Sequence, residues 1–162
     1  SLADAPGAEL ALASLVADGN PRSLDIAHLL PSFAREHLYP YPKLTMADMD
    51  RPLLANCLWS SLNFFNAKPD DRFLDPSVAL ETLRNDYFVV ESGFELGDII
   101  AFVDEGGKLF HVGVHLADSL VFSKNGTSPV APWAIQTVQQ ITGYYQVRSA
   151  APRLIYHRPK VF

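Results

Sequence analysis

The sequence predicts an α+β protein in which helices come first and an antiparallel sheet follows. Up to about Arg84 the apolar residues recur at helical spacing, and after Gly93 they fall into short β-rich runs separated by turn residues. Segregation of helices from strands argues against a parallel α/β sheet, in which the two would alternate. The chain has 162 residues, 48% hydrophobic and 19% charged, which suits one domain, 1–162, with a sizeable core.

Taken in order, Leu24 to Leu38 places Ile26, Leu29, Leu30, Phe33 and Ala34 at helical spacing, with Pro31 expected to bend or break the helix. Tyr39-Pro40-Tyr41-Pro42 then stops regular structure. From Leu53 to Phe65 the positions Leu54, Cys57, Leu58, Leu62 and Phe65 predict a helix with Cys57 in its first turn. Asp75-Pro76-Ser77 reads as an N-cap followed by Pro at the first helical position, opening a helix to Arg84. Ile99 to Val103, Leu109 to Leu116 and Leu120 to Ser123 read as strands joined by Asp104-Glu105-Gly106-Gly107 and by the three-residue loop Ala117-Asp118-Ser119. Pro132 to Ile141 is expected as a further helix, with Tyr144 to Arg148 and Leu154 to His157 as closing strands.

A net charge of −5 without any block of Lys or Arg excludes a nucleic-acid footprint or a polybasic membrane patch. No apolar run reaches the roughly 20 residues needed to cross a bilayer, so no transmembrane segment is expected. Leu10 to Val16 is apolar but follows no basic region, so no signal peptide is legible; a periplasmic or secreted location is expected only if an export signal has been removed. The single cysteine leaves the redox compartment undetermined. There is no phosphate-binding glycine loop, and no cofactor is expected.

That cysteine, in Ala55-Asn56-Cys57-Leu58-Trp59-Ser60, carries the chemistry. A thiol is a nucleophile only as thiolate, and a helix start offers backbone N–H groups that favour the anion and can bind an oxyanion. The bland alternative is a small buried hydrophobe at helical spacing. A base is available in Phe110-His111-Val112-Gly113-Val114-His115-Leu116. Alternation puts Leu109, His111, Gly113 and His115 on one face, as if lining a cleft, and Phe110, Val112, Val114 and Leu116 on a core face. His111 and His115 lie ~13 Å apart along a strand, too far to share a metal, and no metal site is expected.

The Cys-bearing helix, the Gly97-Asp98 turn into an apolar strand, and His111-Val112-Gly113-Val114-His115-Leu116 together resemble the NlpC/P60 superfamily of papain-like cysteine peptidases and amidases. The likeness runs from about Leu53 to Tyr145, in the unpermuted order of Cys before His, whereas Ser1 to Pro52 matches nothing in that family. It implies a papain-like fold, with a catalytic core at 53–162, a helical extension at 1–52, and N-terminal helices on a small antiparallel sheet. It also implies hydrolysis of an amide bond in a peptidoglycan stem peptide through a thioester, with Cys57 as nucleophile and His111 as base.

In that family a third polar residue follows the His by about a dozen positions. Here that is Ser123, with Lys124 and Asn125 as neighbours that could serve instead. A three-residue loop keeps Ser123 on the face of His111. Where the family commonly has Asp-Cys-Ser-Gly, this chain has Asn56-Cys57-Leu58-Trp59, so the carboxylate that recognises the substrate amine is missing. Asn56, Trp59 and Tyr41 are the candidates for contacting substrate, with a core position as the alternative for Trp59. Two other outcomes remain open: a papain-like binding module that has lost catalysis, and a lipid-directed acyltransferase or thioesterase of a related branch. Asp98 is expected to pin its turn, and His28 and His37 to be structural or exposed. Asn125-Gly126-Thr127 matches a glycosylation acceptor, relevant only in a eukaryotic secretory context.

Overall fold

The computed structural model describes residues 29–38, 54–145 and 152–160, together with Leu10, Ala13, Ser14 and Ala17. It is a mixed α+β structure built on one six-stranded sheet in which every pairing is antiparallel. The strands are β1 (Tyr87–Val90), β2 (Ile99–Val103), β3 (Leu109–Ala117), β4 (Leu120–Lys124), β5 (Trp133–Thr137) and β6 (Arg153–Pro159). Their spatial order is β1-β6-β2-β3-β4-β5, so the last strand of the chain is inserted between the first two.

The described residues include the α-helices α1 (Ser32–His37), α2 (Cys57–Leu62), α3 (Pro76–Asp86) and α4 (Val138–Tyr144). Pro31 does not bend a longer helix. It is the N-cap of α1, with φ −57° and ψ 159°, as suits a residue that lacks an N–H to donate. Helix α2 begins later than the spacing from Leu53 suggests, because Asn56 takes the capping position and its Oδ1 accepts from the Trp59 N–H at 3.0 Å. Asp75 caps α3 through Ser77 N–H at 2.8 Å, with Pro76 at the first helical position.

Helix α2 lies across β3 and β4. On that side one core cluster gathers Leu58, Trp59 and Leu62 with Phe33 and Ala34 of α1, Ala79 and Leu83 of α3, and Val112, Val114, Leu116, Phe122 and Trp133 of the sheet. On the opposite face Ile100, Phe102, Val121 and Tyr156 pack with Ile141 of α4. Strand β2 is buried at every position, which is why it reads as a continuous apolar run without alternation.

Three expectations change. The segment expected as one helix from Pro132 to Ile141 is β5 followed by α4. Its first half adds an edge to β4, and Thr137 stops the strand by forming a capping box with Gln140. Tyr144 ends α4 and Tyr145 is its C-cap, so no strand starts there; 146–148 lie outside the described residues. Strand β1 was not expected, because Tyr87 to Val90 follows α3 with no turn residue between.

The alternation along β3 also breaks. Phe102 faces His111 and Val103 faces Leu109, so Phe110 is the extra residue of a bulge. Phe110 therefore joins His111 against Phe102, while Leu109 packs with the cluster under α2. A second irregularity at Leu116 accompanies a two-residue loop, Asp118-Ser119, in place of the expected three.

Gly113 marks the tightest passage of the sheet. A Cβ there would run into Val121 Cγ1 and stand 3.3 Å from both the Phe122 carbonyl oxygen and Ser123 Cβ. Gly113→Ala is expected to destabilise the protein by about 1–3 kcal/mol, as overpacked cores do. Urea unfolding measures this, and an unchanged midpoint would mean that β3 and β4 have room to part.

Candidate active site around Cys57 and His111

Cys57 is the first residue of α2 and is half-buried. The β3–β4 pairing runs from Val114↔Phe122 to Ala117↔Leu120 and does not reach Val112. At that level the backbone N–H of Val112 is directed toward the Cys57 sulfur, as are those of Leu58 and Cys57 itself. Burial nevertheless raises the thiol above its ordinary range. The three N–H groups and the Lys124 ammonium pull the other way without prevailing. With only six residues, α2 adds little macrodipole to that balance.

His111 immediately precedes Val112 and is 1% exposed. Its ring lies on the sheet face opposite α2, 4.8 Å from the Tyr145 ring and 5.5 Å from that of Phe102. Neither ring nitrogen has a hydrogen-bond partner, so no hydrogen bond joins it to Cys57 or Ser123. Burial without a partner lowers its pKa to about 4, leaving a neutral imidazole at neutral pH. The resting arrangement is therefore a neutral thiol on the α2 side of the sheet and a neutral imidazole on the other.

Ser123 shares the face of His111, as its Cβ contact with the Gly113 position shows, but its Oγ is fully buried and unpartnered. Asn125 donates from Nδ2 to Gln136 Oε1 at 2.7 Å, and its Oδ1 is buried and unpartnered. The nitrogen that a glycan would occupy is thus already engaged. Lys124 points to the other face, toward α2. Its Nζ donates to the carbonyls of Ser128 (2.6 Å), Ala131 (3.0 Å) and Gly126 (3.5 Å), and it lies 5.1 Å from the Trp133 ring centroid.

Of the expected substrate contacts, Asn56 is the helix cap and 9% exposed, and Trp59 is a core residue whose Nε1 donates to Asp71 Oδ1 at 3.3 Å. Tyr41 lies outside the described residues, as does His28. His37 stacks on Phe33 at 4.3 Å and meets Trp133 edge-on at 4.8 Å. Asp98 pins its turn: its carboxylate accepts from Arg158 Nε and Nη2, both at 2.8 Å, and from the Glu95 N–H at 2.9 Å. Among the described residues no group of three His, Cys, Asp or Glu could hold a metal, and no helix is long and apolar enough to cross a membrane.

Tyr145 went unnoticed in the sequence. Its ring covers His111, and its hydroxyl accepts from the Gly126 N–H. Burial, then the nearby Cys57 and Tyr144, push its pKa up to about 12. Nothing in the local pattern marks it, because its role comes from where α4 ends. A groove of about 550 Å³ is lined by aliphatic residues such as Leu80, Leu83 and Ile155 together with Arg84, Tyr87 and His157, but neither Cys57 nor His111 lines it.

Comparison with family models, curated proteins and solved structures finds no match for this chain.

The buried imidazole makes stability depend on pH. The unfolded chain takes up the His111 proton near 6.5 and the folded protein only near 4, so between these values the unfolded state binds more protons. Stability is expected to be flat with respect to His111 above pH 6.5 and to fall by about 3 kcal/mol as pH drops to 4. His115 and His157, whose pKa values burial also lowers, contribute in the same direction. Urea midpoints across this window, in the parent and in His111→Phe, isolate the difference. Parallel curves would contradict a neutral, buried His111.

Proposed function

We propose that this protein is a cysteine hydrolase of the papain-like NlpC/P60 type, in which Cys57 attacks an amide carbonyl and His111 handles the proton. The observation that carries the reading is the buried, unpartnered imidazole of His111. It sits one residue from Val112, whose N–H is directed at the Cys57 sulfur. Buried polar atoms without partners are uncommon and call for a reason, and a base waiting for its proton supplies one.

Because thiol and imidazole both rest neutral and the ring lies on the face opposite α2, this reading requires the His111 side chain to turn toward Cys57, where it takes the thiol proton as sulfur bonds to the carbonyl carbon. The N–H groups around the sulfur are placed to take up negative charge. Collapse of the tetrahedral adduct breaks the C–N bond, and His111 returns the proton to the departing amine. Water, losing a proton to His111, then cleaves the thioester to a carboxylic acid and the free thiol. Ser123 is the third residue in this scheme, with Asn125 as the alternative on the same face. A stem peptide of peptidoglycan is the proposed substrate class, bound without the carboxylate that Asn56 replaces.

A second reading is a catalytically silent binding module. The placement of the His111 ring on the face away from Cys57 and the unpartnered Ser123 hydroxyl favour it. The partly aliphatic groove lends no support to a lipid-directed enzyme, since the candidate nucleophile does not line it.

The deciding experiment is mass-spectrometric assay of amide cleavage in muropeptides by the parent, Cys57→Ala and His111→Ala. Cleavage by the parent is expected to be lost in Cys57→Ala, with unchanged circular dichroism, and to fall by about 10²–10⁴-fold in His111→Ala. Wild-type turnover in Cys57→Ala would overturn the assignment, and no cleavage by any of the three would favour the binding module.

A further inference from the structure

Lys124 is a lysine with 1% exposure and, among the described residues, no carboxylate against its ammonium. Its three N–H donors meet three backbone carbonyls, of Ser128, Ala131 and Gly126. A neutral amine has one donor fewer and would leave one of these carbonyls unpaired, so the cradle is built for the charged form. The face of Trp133 beneath it adds a further contact that favours a cation. Burying a lysine in this way is costly, and a loop can be held by cheaper means.

Its position on the sheet suggests what the charge serves. The register of Val114↔Phe122, carried two residues further, sets Lys124 opposite Val112, the residue whose N–H is directed at the Cys57 sulfur. The Lys124 side chain lies on the α2 side, above Trp133, with which it is paired across β4 and β5. Trp133 Nε1 in turn donates to Ser60 Oγ at 2.7 Å, and Ser60 Oγ donates to the Asn56 carbonyl at 2.7 Å, at the residue before Cys57. The ammonium and the thiol are thus held by one connected set of contacts. His111, with both ring nitrogens buried and unpartnered, borders the same place on the other side of the sheet.

We propose that Lys124 is the fixed cation of the Cys57 site, held by the Ser128, Ala131 and Gly126 carbonyls so that its charge stabilises negative charge on the sulfur. This rests on the reading of Cys57 as a nucleophile. It makes Lys124 a positioning and electrostatic residue that acts through the sulfur, distinct from the role of orienting the base. Burial lowers the pKa of Lys124 and raises that of the thiol, and against both shifts the thiol and the ammonium each favour the other's ionised form. Tyr145 is the other titratable group coupled to the thiol, and its hydroxyl stays protonated well above neutrality.

The test follows ionisation and does not need turnover. Thiolate absorbance of the single cysteine, read against Cys57→Ala across the alkaline range, is expected to show its midpoint raised by about one pH unit in Lys124→Met. That corresponds to about tenfold less thiolate at a given pH. A folded Lys124→Met protein with an unmoved midpoint overturns the proposal. Because loss of the carbonyl cradle can disturb residues 125–131, the reciprocal measurement leaves Lys124 intact. Its Nζ is titrated by heteronuclear NMR in the parent and in Cys57→Ala, where removal of the thiolate should lower the midpoint by a similar amount. Identical midpoints overturn it. Coupling without muropeptide cleavage would refute the hydrolase alone, and cleavage with an uncoupled Lys124 would refute the cation alone.

Discussion

The hydrogen bond from Trp133 Nε1 to Ser60 Oγ is the contact on which the placement of the site depends. It joins residues far apart in sequence, deep in an aromatic cluster where Trp133 meets His37 and Trp59 faces Phe33 at 5.2 Å. In such surroundings an unmade hydrogen bond costs more than a made one gains, so the indole and the hydroxyl hold each other in register. Ser60 passes that constraint to the Asn56 carbonyl, and Asn56 caps the helix that begins with Cys57. The isolated bridge between Leu38 and Trp133 brings α1 to the same point.

Around this anchor the sheet is unusually demanding. Strand β2 is buried throughout, and β3 and β4 are buried over most of their length, so side chains on both faces must pack. Two of those side chains are histidines, one is a lysine and one a serine. Burial lowers the pKa of His115, against the opposing pull of Asp98 and Asp118. Its backbone is tied to the Gly97-Asp98 turn, with Gly97 N–H donating to the His115 carbonyl and His115 N–H to that of Asp98. For His111 burial acts without an opposing charge, and both of its ring nitrogens are buried without a partner among the described residues, where His115 has Nδ1 alone so placed.

Thiol and imidazole both rest neutral, and among the described residues the Lys124 ammonium is a charge coupled to the thiol. Tyr145 covers the imidazole, and burial holds the thiol protonated. Such a site favours chemistry in which the proton moves with the bond being made, and it disfavours a standing thiolate–imidazolium pair. The backbone N–H groups near the sulfur are already oriented, so they need no reorganisation when charge develops.

Much of this architecture is local and could be read from residues in order. The α3 cap at Asp75-Pro76, the helix beginning at Cys57, and the turns that bound β2, β3 and β4 follow from side-chain chemistry acting over three or four positions. The placement of Cys57 in a first helical turn and of His111 on a strand was legible in the same way, but which face each side chain takes was not. Tertiary contacts decided the rest. Whether Trp133 to Thr137 is helix or strand depends on the free edge of β4, and where Tyr87 to Val90 goes depends on β6, which lies far along the chain. The bulge at Phe110 is set by the pairing of β3 with β2, and it decides which side chains share a face with His111. Lys124 and Tyr145 come to the site by packing alone, since short-range patterns fix periodicity and caps but not which distant groups share a buried space.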